Sequence, residues 1–241
     1  MRNRFLIFCV VFAFSIGITH SQFKDLGIEF GLIPTSIFGN NSASEVFQSQ
    51  NKETIGGGFF GFQTGIFVKA VWQFENSPIS IPFGLEYVFY RAYHRVPLAP
   101  NVTFYIKHFI DVPTLTLGFR YDLFKLPFAN VKAYTELDAM GNFVGKSNYN
   151  IRIDYESYDS TVIRSVSNKN AVFRLGTGIK LGFLGEIVHP WYANLFVSVN
   201  YVNLFGKNNK RGELLTPDPR YETVENPVYN FQLAVSLMYK F

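Results

Sequence analysis

Apolar and aromatic side chains recur at every second position along most of this chain, with glycine, small polar or singly charged residues between them. A period of two is the signature of a β-strand with two unlike faces and is incompatible with a helix. In Asp25 to Ile33, Leu26, Ile28, Phe30 and Leu32 share one face against Gly27, Glu29 and Gly31. The same alternation runs through Phe60 to Phe74, Ile79 to Phe89 and a fourth segment ending in Leu115, Leu117, Phe119 and Tyr121. It continues through Val131 to Phe143, Phe173 to Phe183, Ala193 to Tyr201 and Tyr229 to Phe241, making eight strands.

The connections alternate in length. Tight turns are expected at Asn76, Lys125 to Ala129 and Gly185 to Pro190, whereas Pro34 to Gly57, Gly145 to Lys169 and Phe205 to Pro227 are long and polar. His94 to Val102 is the short member of the second set. A soluble barrel would bury its apolar face and show water a charged one. Here the second face carries Gly, Asn, Gln and isolated charges, too polar for a core, while 18% of the residues are aromatic and need cover. Inverting the barrel resolves this, with the aromatic face toward lipid and the polar face toward the lumen. The expected fold is an all-β, eight-stranded antiparallel up-and-down transmembrane β-barrel in the bacterial outer membrane, with long outer loops and short periplasmic turns. Aromatic girdles are expected at its two rims.

The N-terminus reads as a secretory signal: Arg2 and Arg4, then apolar Phe5 to Ile18, then small residues at Thr19 and Ser21 before a cut at Gln22. The expected organisation is a cleaved peptide from Met1 to Ser21 and a barrel domain from Gln22 to Phe241. The only cysteine, Cys9, leaves with the peptide, so no disulfide or thiolate metal site is expected in the mature chain. Removing Arg2 and Arg4 leaves 20 basic residues against 18 acidic ones, a balance that implies no nucleic-acid partner. A mean hydropathy of +0.08 excludes a bundle of membrane-spanning helices.

The last strand ends in Leu237, Tyr239 and Phe241 on one face. It looks like the C-terminal signal read by the bacterial barrel assembly machinery. In the middle of the chain, Ile110-Asp111-Val112-Pro113 is followed by Leu115, Leu117, Arg120-Tyr121, a turn and a strand from Val131 to Gly141. This stretch resembles the Bacteroidota outer-membrane β-barrel domain proteins described as PorT-like, within the small OmpX-like barrels. The resemblance implies an outer-membrane location and, as one function, a secretion-linked accessory barrel. Where such proteins tend to be glycine-rich after the turn, this chain has Tyr134-Thr135-Glu136-Leu137-Asp138.

Eight strands enclose a lumen that side chains can fill, and open channels need about 16. Counted from the turn side, Glu29, Lys69 and Glu86 share a height on the first three strands, and Arg120, Glu136 and Lys180 on the next three. Two ion-paired clusters are expected, because a charge in a narrow lumen persists only with a partner or water. Catalysis would need a rim histidine with a serine or carboxylate, for which His94, His108 and Asp111 are the candidates. No Gly-x-Ser-x-Gly elbow is present, so neither an enzyme nor a cofactor is expected, a lipid A-modifying activity being the minor alternative. Gly56-Gly57-Gly58 reads as a loop hinge, and Asn40 and Asn101 as loop residues that happen to fit a glycosylation acceptor. Lys207, Lys210 and Arg211 are placed to meet lipopolysaccharide phosphates.

In the third outer loop, the outward parity of the fifth strand is expected to continue through Tyr149, Ile151, Ile153 and Tyr155, with a turn at Tyr158-Asp159-Ser160 and a return from Thr161 to Val166. Such a hairpin would stand above the lipid and bind extracellular protein by strand addition, with Ile151, Ile153 and Tyr155 as anchors. The expected function is therefore a structural or surface-binding barrel with a packed polar lumen, in contact with outer-membrane lipid and lipopolysaccharide. A narrow porin and a secretion accessory are the alternatives.

Overall fold

A computed structural model describes residues 23–39, 41–45, 56–127, 130–166, 169–208, 212–217 and 225–241. The signal-peptide reading of 1–21, and Asn40, Lys210 and Arg211, lie outside the described residues. Among those described, no helix is long and apolar enough to cross a membrane. The strands in chain order are β1 (Phe23–Leu32), β2 (Thr35–Phe38), β3 (Thr64–Phe74), β4 (Ile79–Ala99), β5 (Val102–Lys125), β6 (Val131–Val144), β7 (Asn148–Tyr155), β8 (Ser160–Val166), β9 (Val172–Val188), β10 (Trp191–Phe205) and β11 (Tyr229–Lys240).

Eight of them form a ring in the order β1, β3, β4, β5, β6, β9, β10, β11, and β11 pairs back onto β1, every neighbour antiparallel. Closure pairs each wall strand on both sides, which removes the exposed edges of an open sheet. β2 prolongs the first strand beyond Pro34 and pairs with β11.

The alternation places the two faces as the ladder requires. Ile28, Phe30, Leu85, Leu117, Leu137, Ile179, Leu195 and Val235 are exposed on the outside, while Glu29, Lys69, Glu86, Arg120, Glu136, Lys180, Asn194 and Gln232 are buried within. Aromatic pairs collect at the rims. Tyr87 meets Phe89 at 4.6 Å between ring centroids, Phe143 meets Phe173 at 4.8 Å and Tyr201 meets Tyr229 at 4.7 Å at the loop end. Trp191 and Phe241 flank Tyr239, each at 5.1 Å, at the other end.

Two features differ from the sequence expectation. The second outer connection is hardly a loop, because β4 and β5 run on past the girdle and join at a two-residue turn, Pro100-Asn101, with Asn101 left-handed at φ 67°. The second difference is one of register. Thr114 of β5 pairs with Asn142 of β6, but Phe109 pairs with Asn148 of β7. Five residues on β5 thus match six on the paired segment from β6 to β7, and the extra residue is absorbed at Gly145-Lys146-Ser147. One extra residue moves every following side chain to the opposite face. Tyr149, Ile151, Ile153 and Tyr155 therefore point inward, with Ile153 only 7% exposed, and Asn150 and Arg152 point out. The expectation that Ile151, Ile153 and Tyr155 face outward is corrected by this bulge.

Candidate functional site

The lumen charges are positioned by simple register. Glu29 on β1 sits opposite Lys69 on β3, Arg120 on β5 opposite Glu136 on β6, and Glu136 opposite Lys180 on β9. Space for these long side chains comes from inward glycines; a Cβ on Gly182 would lie 2.5 Å from the Tyr134 ring.

The six residues form one network across the lumen where the sequence predicts two clusters. Lys69 Nζ lies 2.9 Å from Glu86 and 3.9 Å from Glu136. Arg120 Nε is 2.7 Å from Glu136, and its Nη2 is 3.3 Å from Glu29. Lys180 reaches Glu136 at 3.0 Å and Glu86 at 3.5 Å, and also pairs with Asp138. Asn194 and the Ser236 hydroxyl each donate to Glu29 at 2.7 Å. The Arg120 guanidinium lies 4.2 Å above the Tyr134 ring, whose hydroxyl donates to Asn194 at 3.1 Å. Sequence reasoning does not bring Asp138, Asn194 and Ser236 into the network, although all three have inward parity. Parity names the face; it does not say which lumen residues touch across the ring.

The network spans the lumen from β1 to β9. Beside it lie voids of about 20 Å³ and 10 Å³, each room for about one water. Above it Asn142 accepts from Thr114 at 2.9 Å and donates to the Val202 carbonyl at 2.7 Å, and Ser198 donates to Gln232 at 2.8 Å.

A second closure fills the loop end. Leu214 and Leu215 are buried there with Phe59 and Val228. Asn41 donates to the Pro227 carbonyl at 2.9 Å, Asn226 donates to Glu213 at 2.7 Å, and Lys169 pairs with the Glu213 carbonyl. The Arg174 guanidinium holds Glu225 through two bonds of 2.9 and 2.7 Å, the fork geometry that makes arginine–carboxylate pairs strong.

His108 latches this plug to the wall. Its Nδ1 lies 2.7 Å from the Gly57 carbonyl, so that nitrogen donates, and Nε2 accepts from the Ser147 hydroxyl at 2.8 Å. The ring stacks on Phe59 at 4.6 Å. Burial pushes the imidazole down to about 4. A serine and a histidine are thus in contact, but both are enclosed and a backbone carbonyl stands where an orienting carboxylate would. His94 donates from Nε2 to the Gly58 carbonyl at 2.7 Å, and Asp111 pairs with Arg91 at 2.5 Å, so the three rim candidates are not brought together. Lys207 donates to the Tyr201 hydroxyl at 2.7 Å.

β7 and β8 stand above the girdle. β7 pairs with the upper half of β5, β8 pairs with β7, and among the described residues the strand order ends there. The return is made by Glu156–Tyr158 and left-handed Asp159. The outward face of this sheet carries Arg95, Lys107, Arg152 and Ile163, the last 72% exposed. The C-terminal trio lies on the outer wall at the lower rim, where the Phe241 amide donates to the Leu26 carbonyl at 2.9 Å.

No family model and no curated protein matches the chain. Among solved structures, the chain is similar to a major outer membrane protein from Thermus thermophilus, at 14% identity over 89% of this chain and 99% of that one, with a TM-score of 0.48. It is also similar to Neisserial surface protein A, at 10% identity over 90% and 97% of the two chains, TM-score 0.45. The attachment invasion locus protein of Yersinia pestis, bound to a heparin analogue, gives 10% identity over 90% and 98%, TM-score 0.43. Within this chain, the ring of eight strands has an apolar and aromatic exterior between two girdles and an ion-paired interior. That inversion suits a bilayer and fails in water, and the chain is a β-barrel protein of the bacterial outer membrane.

Proposed function

We propose that the chain is a closed, non-conducting barrel that works through its extracellular sheet, binding an extracellular protein by strand addition to β8. In this reading the short turns lie in the periplasm and the long loops outside. The observation that carries it is the outer edge of β8, where the strand order ends among the described residues and where Thr161, Val162 and Ile163 are β-branched and exposed. A β-branched edge of this kind offers a row of N–H and C=O groups to a partner strand. The anchors are Ile163 on the outward face of β8 and Tyr158 at the turn, because the bulge turns Ile151, Ile153 and Tyr155 toward the plug. Two variants test the reading: removal of Asn150 to Ser167, and the milder Ile163→Lys, which charges the edge and leaves the hairpin in place. Cross-linking on intact cells should lose a defined protein adduct in both. An unchanged adduct and unchanged adherence would sink the reading.

The Leu237, Tyr239 and Phe241 face is read as the assembly signal, and outer-membrane lipid and lipopolysaccharide as the surroundings of the wall. Catalysis is outside this reading, since Ser147 and His108 lie enclosed beneath the plug. A secretion accessory of the PorT-like kind is the second reading. What favours it is a cleft of about 290 Å³ at the turn end, lined by Asp25, Lys132, Glu186 and Lys240 and open to a periplasmic partner. Cross-linking from Glu186→Cys separates the two, because only an accessory would yield an adduct on the periplasmic side.

A further inference from the structure

The opposite edge of the extracellular sheet holds a feature that does not depend on β8. β3 leaves β4 at Gln63, whose side-chain oxygen replaces the missing strand by accepting from the Arg91 amide at 2.8 Å. Residues 58–62 part from β4, with Gly58 and Gly61 left-handed at φ 73° and 62°, while Gln63 stays bridged to Thr35 of β2. A groove of about 550 Å³ opens between this segment and the upper part of β4. Phe60, Phe62 and Phe89 form its apolar walls, and Arg91, Tyr93 and His94 its upper end.

The groove has a direction. Phe62, 58% exposed, packs against Phe231 of β11 at 6.3 Å. Phe89 belongs to the upper girdle, and Arg91 lies just above it. The groove therefore joins apolar rings to a charged upper end beside the girdle, the pairing that a bilayer interface presents. A groove on the outer wall with apolar sides and a charged upper end matches an amphiphile of such an interface.

Arg91 is fixed in place. Its guanidinium lies between the Phe89 and Phe109 rings, at 5.6 and 5.4 Å, and donates to the Tyr90 carbonyl at 2.9 Å and to Asp111 at 2.5 Å. A third of its side chain is still exposed. Lys107, paired opposite Tyr93, and Arg95 continue the positive charge upward on the same outward face, beyond Asp111.

We infer that this groove binds one phosphorylated, multiply acylated glycolipid of the lipid A type from the outer leaflet. An acyl chain lies along Phe60, Phe62 and Phe89, and a sugar phosphate meets Arg91 with Lys107 and Arg95 above it. The Tyr90 and Ile110 carbonyls, Asp111 and the aromatic rings on either side hold the guanidinium in place, and its remaining N–H groups are left to donate to a phosphate.

The experiment uses the full mature chain purified in mild detergent, with heat-modifiable migration confirming that each variant is folded. Native mass spectrometry then follows retention of added bisphosphorylated lipid A, the same lipid with its phosphates removed, and phosphatidylglycerol. The parent protein should retain the phosphorylated glycolipid selectively, and Arg91→Gln should weaken it roughly tenfold, the loss of a charged hydrogen-bonding partner. Phe62→Ser should weaken it as well, while Leu195→Ser, on the lipid-facing wall across the ring, should not. Equal retention of the dephosphorylated lipid or of phosphatidylglycerol, or an Arg91→Gln variant that binds like the parent, overturns the inference.

Discussion

Glu136 touches all three cations of the lumen network, lying within 3.9 Å of Lys69, 2.7 Å of Arg120 and 3.0 Å of Lys180. Glu136→Gln keeps the shape and removes the charge that balances them. Breaking a buried pair costs about 3–5 kcal/mol because the partner is left uncompensated. The variant should therefore lose heat-modifiable migration at a lower temperature than the parent, and an unchanged transition would show the network to be energetically idle. His108 carries a pH dependence. With the plug open the imidazole titrates near its ordinary 6.5, and with the plug closed burial holds it down to about 4. The closed form therefore sheds the proton that the open form keeps. The stabilisation is complete above pH 6.5 and is lost as pH falls from there to 4, a change of about 3 kcal/mol. Hydrogen exchange of the Gly57 and Ser147 segments should accelerate over that window in the parent and stay flat in His108→Leu. That these lumen positions face inward is legible from parity alone. Their joining into a single network is not, because contacts across a ring depend on side-chain reach and on Gly182-type openings that no linear pattern encodes.

Among the elements, the eight ring strands are readable because each carries an apolar outside and a polar inside through the membrane band. The hairpin of β7 and β8 is readable as a hairpin from its β-branched return and its Asp159 turn. Its facing is not, since one unpaired residue in Gly145-Lys146-Ser147 leaves the alternation on each side intact and inverts the relation between them. Deleting Lys146 removes that residue. The faces of β7 should then revert, taking Tyr149 away from His108, where its ring now lies 5.1 Å off, and putting Asn150 and Arg152 against the plug. The expected outcome is a folded barrel with a loosened mouth, seen as protease cleavage between residues 145 and 170 that the parent resists. Equal resistance would mean that β7 holds its facing without the bulge. The upward run of β4 and β5 escapes the sequence for a different reason: once above the lipid, both faces become mixed and the period weakens.

For the molecule as a whole, the proposed closed lumen rests on two layers in series: the charge network near the middle and the buried Leu214-Leu215 segment at the loop end. Planar bilayers containing the purified barrel should show no stepwise conductance. Deleting residues 212–217 should leave them silent, because the network remains, and regular steps in either case would refute the closed-lumen reading. The network also bears on how the barrel is made. Glu29 near the start of the chain is satisfied by Arg120 from 91 residues away, Asn194 from 165 and Ser236 from 207. A nascent sheet that has not yet joined β11 to β1 would hold naked charges against hydrocarbon. Insertion is consequently expected to be coupled to circularisation: only the closed ring brings Arg120 across to balance Glu29, and the last strand to arrive completes the hydrogen bonding of the first through Ser236.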